Sequence, residues 1–351
     1  MTRGPAGTLS GPAGSAARSA ASAAGTAASP AGTDTAAVRS TGAGPGGAPP
    51  VLRGEAADAV LRKLELTVRR KLDGLLQGNH IGLVPGPGSE PGESREYHPG
   101  DDVRRMDWPV TARTTVPHIR ETIADRELET WVVVDLSPSL DFGTARCEKR
   151  DMVVAGVAAV AHLTGRGGNR IGALVTTGES VIRLPAQSGR AHTTGLLKRL
   201  VETPRSTQGR RGDLAAVVEM LRRPPRRRGF AVVVSDFLGD LSWERPLRAL
   251  AVRHDVLAIE VVDPVELALP AVGLLTLVDP ESGRLLEVQT AKRGLREKYA
   301  EAAARQRAEI AVALRRSGAA HLQLRTDRDW LVDIVRFVAA RRRGVSGGAL
   351  R

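Results

Sequence analysis

Asp135, Ser137 and Ser139 end the run Glu129-Thr-Trp-Val-Val-Val-Asp-Leu-Ser-Pro-Ser139. A carboxylate and two hydroxyls at i, i+2 and i+4 can turn inward from one loop towards a single point. All three are hard oxygen donors of the kind Mg²⁺ takes, and they would leave coordination positions open for water or a partner. The competing reading is structural: one Asp and two Ser making turn and N-cap hydrogen bonds ahead of a helix. A second acid, Asp236, ends a similar run, Phe230-Ala-Val-Val-Val-Ser-Asp236. If the two runs are neighbouring strands, Asp135 and Asp236 approach one point, and the carboxylates repel unless a cation lies between them.

The elements that would position these groups are legible as pattern. Trp131–Val134 and Ala231–Val234 are short, continuous apolar runs rich in β-branched residues, as expected of central strands buried on both faces. From Glu129 onward strand and helix signals alternate. Strands are expected at 129–135, 170–176, 230–236, 255–262 and 321–325, with helices at 147–163, 189–201, 213–221, 243–251, 291–316 and 329–342. Residues 179–184 read as a hairpin partner of the second strand, and 273–278 with 284–289 as a β-hairpin around Asp-Pro-Glu-Ser-Gly. This alternation implies right-handed crossovers, so the fold class is α/β with a mainly parallel sheet and helices on both faces. Upstream, 56–76 carries an amphipathic stripe (Val60, Leu64, Val68, Leu72, Leu75), 82–92 is a loop by composition, and 116–123 suits a strand.

Composition divides the chain. Residues 1–52 are an Ala/Gly/Ser/Pro-rich segment too poor in apolar side chains to offset its ordering entropy, and are expected to be a disordered tail without a secretory signal. Residues 53–126 form an N-terminal segment and 127–343 the α/β domain, with the hairpin near 273–290 inserted. No apolar run reaches membrane-spanning length, and the single cysteine, Cys147, excludes an internal disulfide. The expected location is cytoplasmic. The formal charge is +12, but 45 of the 51 basic residues are Arg, as a GC-rich coding bias would give. The densest cluster, Arg222-Arg-Pro-Pro-Arg-Arg-Arg228, has no aromatic residues between its cations. That argues against a base-stacking platform and for a solvated loop, with an acidic partner surface as the other reading.

The D-x-S-x-S ending and the later Asp236 resemble a von Willebrand factor type A domain, in which such a motif, a later Thr and a later Asp build a metal-ion-dependent adhesion site. The expected Thr position, just before Asp213, holds Gly212, and the sequence does not place Ser206 or Thr207 there. A longer match lies upstream in Arg95-Glu-Tyr-His-Pro-Gly-Asp-Asp-Val-Arg-Arg-Met-Asp-Trp-Pro-Val-Thr-Ala-Arg113. It resembles the R-x-Y-x-x-G-D-x-x-R-x-I-D-W-x-x-x-A-R signature of the domain-of-unknown-function 58 family, the MoxR-associated proteins with a von Willebrand A-like domain. Arg95, Tyr97, Gly100, Asp101, Arg104, Asp107, Trp108, Ala112 and Arg113 match, and Met106 replaces the usual Ile. Physically, the segment reads as a turn and an anchored loop, its Arg and Asp residues pairing above Trp108 to clamp the N-terminal segment to the sheet. The functional alternative has Arg104 and Arg113 facing a partner's acidic groups.

The resemblance implies a non-enzymatic binding module with Asp135, Ser137, Ser139 and Asp236 around Mg²⁺, the missing Thr leaving that site weakened or lost. It also implies a MoxR-type AAA+ ATPase as partner, with a client protein the sequence does not name, in chaperone-like maturation of complexes. A metal-dependent hydrolase is the rival reading. It lacks a G-x-S-x-G elbow, and His118, His162, His192, His254 and His321 each read as surface residues of helices or strands. No G-x-x-x-x-G-K-[ST] phosphate loop is present. Nucleic-acid binding, the third possibility, rests on charge alone.

Overall fold

The computed structural model describes residues 54–76, 94–98, 103, 106–120, 129–165, 168–205, 212–222, 229–278 and 285–348. The expected tail at 1–52, the loop at 82–92, signature residues Gly100, Asp101 and Arg104, Ser206, Thr207 and Arg223–Arg228 lie outside them.

The first helix, α1, runs Glu55–Leu76. Strands β1 (Ser94–Glu96) and β2 (His118–Arg120) pair antiparallel, and between them lies a short helix, α2 (Trp108–Thr114). Here the structure has a short helix where the sequence suggested an anchored loop. The Asp107 side chain accepts the Val110 N–H at 3.3 Å, capping a helix with Pro in its first turn. On this helix Trp108 is 67% exposed, and among the described residues nothing packs over it. Arg113 is exposed on the same helix.

The chain then enters a six-stranded sheet. In chain order its elements are β3 (Glu129–Asp135), α3 (Lys149–Thr164), β4 (Arg170–Thr176), β5 (Val181–Gln187), α4 (Arg190–Glu202), α5 (Leu214–Arg222), β6 (Phe230–Ser235), α6 (Glu244–Ala251) and β7 (Asp255–Val262). A two-stranded ribbon follows, β8 (Leu274–Val278) with β9 (Leu285–Gln289). The last elements are α7 (Arg293–Ser317), β10 (Ala320–Arg325) and α8 (Trp330–Gly348). Strand order is β10-β7-β6-β3-β4-β5, parallel throughout except for the edge pair β4–β5.

Period-two alternation within buried strands sorts the side chains into two cores. Val132 and Val134 of β3 lie in a core shared with α1, α3, α4 and α8, which contribute Val68, Val157, Leu200 and Leu331. Trp131 and Val133 face the other way, towards α5, α6 and α7, meeting Val218, Leu250 and Leu314. Helices therefore cover both faces, and the continuous Val runs of β3 and β6 are explained by burial on both sides. A close approach fixes one glycine: a Cβ on Gly172 in β4 would lie 2.9 Å from the Ala186 backbone nitrogen and 3.0 Å from the Trp131 ring.

This winding places the site. From β3 the chain proceeds to β4 and β5 on one side, then crosses back to β6 on the other side of β3. The order of strands reverses between β3 and β6, and the crevice outside their carboxyl ends is where ligands bind in open α/β sheets.

Candidate functional site

Asp135 ends β3, and Asp236 follows the last residue of β6, so the two acids flank that crevice. Register pairs Val134 with Val234, one residue before the ends, and this brings both loops to the same level. Beyond β3, Ser137 and a 3₁₀ turn at Pro138–Leu140 fold the chain back over the strand end. Phe237 takes φ +54°, an uncommon conformation for a bulky side chain. It is held there by burial against Trp243, ring centroids 5.1 Å apart, and by its N–H donating to Ser235 Oγ at 3.1 Å.

The four residues named from sequence do converge. Asp135 Oδ1 accepts the Ser137 N–H at 2.9 Å, and Ser137 Oγ lies 3.2 Å from Ser139 Oγ. The Ser139 hydroxyl is close enough to the Asp236 carboxylate to help keep it ionised. Asp135 Oδ2 accepts the Ser235 hydroxyl at 2.7 Å. All of them are buried, between 2% and 6% exposed.

The structure adds a residue that sequence reasoning missed. Lys149, fully buried at the start of α3, donates to Asp236 Oδ2 at 2.8 Å and to Glu266 Oε1 at 2.6 Å. Behind it, Arg307 binds Glu266 Oε2 at 2.8 Å, Glu260 Oε1 at 2.8 Å and the Asp236 carbonyl at 3.0 Å. Glu260 Oε2 then meets His321 Nε2 at 2.8 Å and Gln323 at 3.1 Å. His321, half-buried on the edge strand β10, therefore has a buried carboxylate as partner, which the reading as a plain surface residue did not include. Lys149 opens a largely apolar helix as one of the three charged residues Lys149-Arg150-Asp151, and nothing in the sequence singled it out or aimed it at Asp236.

Charge is unevenly distributed in this cluster. Among the described residues only neutral donors bond to Asp135, and burial, with Asp236 nearby, pushes its carboxyl up from 3.8 to about 6. Asp236 is as deeply buried, but the Lys149 ammonium overrides that burial and holds it down to about 2. Glu266 stays above the usual carboxylate range because burial outweighs Lys149 and Arg307. If all ionise, the carboxylates of Asp135, Asp236, Glu260 and Glu266 face, among the described residues, the two permanent cations of Lys149 and Arg307, leaving two negative charges over when His321 is neutral. Buried charge in excess calls for a counter-ion or a proton.

Among the described residues no group of three or more His, Cys, Asp or Glu side chains is placed to hold a metal ion, so a hard divalent cation here would rest on one carboxylate and hydroxyls. Asp135, Ser137 and Ser139 supply a carboxylate and two hydroxyls at the point where positive charge is lacking. Asp236 fits less well, because Lys149 takes one oxygen and the Leu238 N–H takes the other at 3.1 Å. At Gly212 a Cβ would lie 3.1 Å from Thr176 Oγ1. Thr176 is buried and is the register partner of Asp135, so a threonine hydroxyl does stand beside the position where the resemblance expects one. Of the upstream signature, Tyr97 joins the small ribbon by donating its N–H to the Pro117 carbonyl at 2.8 Å. The Asp107 N–H does the same to the His118 carbonyl, also at 2.8 Å.

Among the described residues, no helix is long and apolar enough to cross a membrane. An uncharacterized protein of Mycobacterium tuberculosis is 59% identical over 304 residues, covering 86% of this chain and 96% of its own. A Mycobacterium bovis protein, also uncharacterized, matches to the same extent. An uncharacterized Mycobacterium avium protein is 53% identical over 166 residues, 47% of this chain and 98% of that one. Among solved structures, the conserved hypothetical protein BatB from Bacteroides thetaiotaomicron aligns with a TM-score of 0.39 at 13% identity, covering 62% of this chain and 99% of that one. The family model described as Protein of unknown function DUF58 matches residues 93–309. The chain belongs to the DUF58 family.

Proposed function

We propose that this chain is a non-enzymatic protein-binding module of the von Willebrand A type, with its contact point at the crevice between β3 and β6. The observation that carries this reading is Asp135: a buried carboxylate with two hydroxyls beside it and only neutral donors bonding to it among the described residues. Asp135, Ser137 and Ser139 would hold Mg²⁺, which when bound supplies a positive point to which a partner's Asp or Glu can be drawn. Ser235 orients Asp135 through its hydroxyl, and the Ser137 N–H fixes the other oxygen, so the donor faces are set before any partner arrives. Lys149 keeps the neighbouring Asp236 ionised and in place.

The partner class follows from the resemblance in the upstream signature: a MoxR-type AAA+ ATPase, with which the module would act on a client protein in chaperone-like complex maturation. A non-catalytic role is supported by the surroundings of Ser137 and Ser139. Their hydroxyls lie 3.2 Å from each other, and among the described residues neither is hydrogen-bonded to a histidine or lysine that could serve as a nucleophile's base.

The test is capture of the MoxR-type ATPase of the same organism by immobilised chain, with Mg²⁺ and with chelator. Capture should require Mg²⁺ and be lost in Asp135→Ala. Equal capture by the wild type with chelator and by Asp135→Ala with Mg²⁺ would reject the reading.

A further inference from the structure

The crevice already contains a cation of the chain's own. The Lys149 ammonium is fully buried, 2.8 Å from Asp236 Oδ2, 2.6 Å from Glu266 Oε1 and 4.8 Å from the centre of the Phe142 ring. It is held from behind as well as in front. Glu266 is fixed by Arg307 at 2.8 Å, and Arg307 also binds Glu260. Removing one member of such a chain strands a buried charge, so the ammonium cannot step aside to admit a hydrated ion.

The two acids of the crevice thus have different company. Both oxygens of Asp236 are engaged, by an ammonium and by a backbone N–H. Asp135 takes two neutral donors. Ser139 lies between the two halves, its hydroxyl 3.2 Å from Ser137 Oγ and near the Asp236 carboxylate. An ion at Asp135 would lie one carboxylate away from a fixed positive charge in a water-poor environment, where like charges repel strongly.

Resting on the ion-mediated reading above, we propose that Lys149 sets the affinity of this site. It keeps the Asp236 carboxylate out of the ion's ligand set and opposes the incoming cation, leaving a weak site centred on Asp135. Lys149 is in this sense a positioning residue for Asp236 and an electrostatic brake on the ion. A weak intrinsic site suits a docking ion, because free coordination positions and incomplete charge compensation leave a partner carboxylate something to supply.

The experiment is a Mn²⁺ titration of the full chain, with free Mn²⁺ followed by its paramagnetic resonance signal and folding checked by circular dichroism. Wild type should bind one ion weakly, and Asp135→Asn should bind none. Lys149→Met should bind roughly tenfold more tightly or better, because a repelling charge is gone and Asp236 is released to the ion. A merely structural lysine would give the opposite result, a disordered and weaker site. The double variant Lys149→Met/Asp236→Asn removes the pair without changing net charge and should return to within about threefold of wild type.

A folded Lys149→Met variant that binds no tighter than wild type overturns the proposal. If that variant does not fold, the double variant decides. Loss of roughly tenfold there places Asp236 among the ligands and overturns the proposal, whereas near-wild-type binding upholds it. Absence of Mn²⁺ binding by wild type sinks the ion-mediated reading itself and this inference with it. Binding that depends on Asp135 but ignores Lys149 sinks the inference alone.

Discussion

Replacing Asp135 with Asn should make the metal-free protein more stable, an unusual result for a fully buried side chain at the end of a central strand. The carboxyl is pushed up from 3.8 to about 6 by burial and by the nearby Asp236. At neutral pH it is mostly ionised, and each unit of that displacement corresponds to about 1.4 kcal/mol, so the buried charge costs about 3 kcal/mol. Asparagine has nearly the same shape. Its Oδ1 can still accept the Ser137 N–H, while the Ser235 hydroxyl must turn to accept where it now donates at 2.7 Å. Allowing about 1 kcal/mol for that rearrangement leaves a net gain of about 2 kcal/mol. Urea denaturation in chelator near neutral pH measures it, and thermal melts should rise by about 4–8 °C. The same variant should lose any Mg²⁺-dependent rise in melting temperature. A variant less stable than wild type in chelator, or one still stabilised by Mg²⁺, would refute the assignment of uncompensated charge to Asp135.

The same displacement sets a pH dependence. Because the folded carboxyl titrates near 6 and the unfolded one near 3.8, the folded state binds the extra proton between them. In chelator, stability should therefore rise as pH falls from 7 towards 4, and saturating Mg²⁺ should flatten that slope in equilibrium denaturation. Asp236 has the opposite sign: held down to about 2, its contribution is full above the ordinary carboxylate range and is lost as pH falls from about 4 towards 2. Arg307→Met should cost about 3–5 kcal/mol by stranding Glu260 and Glu266, a loss readable in the urea midpoint, and an unchanged midpoint would contradict the buried chain. Gly172→Ala presses a methyl into the Ala186 backbone and should destabilise by about 1–3 kcal/mol, whereas a neutral result would mean β5 can shift.

Much of the frame was legible because buried parallel strands need apolar, β-branched runs and such runs admit few other readings. Arg170–Thr176 and Asp255–Val262 match the expected strands end to end, and Asp135 and Asp236 meet where the strand order reverses. What escaped depends on partners distant in sequence. Two acids facing one point implied a missing cation, but the cation beside Asp236 is Lys149, 87 residues away. Helical periodicity ranks such a lysine as a surface residue, and only the packing of α3 on the sheet turns it inward. His321 was misjudged for the same reason, since its partner Glu260 lies 61 residues off. The short helix at Trp108 is a different case. Asp107 followed by Trp and Pro is an N-cap with Pro in the first turn, a local signal that was there to read.

The most direct test of the central claim is anomalous diffraction from crystals of the chain grown with Mn²⁺, because it places the ion without reference to any activity. A peak in contact with the Asp135 carboxylate and the Ser137 and Ser139 hydroxyls, with Lys149 still on Asp236, is the expected result. A crevice with no peak at saturating Mn²⁺, or one in which the ion has displaced Lys149 from Asp236, would contradict the account.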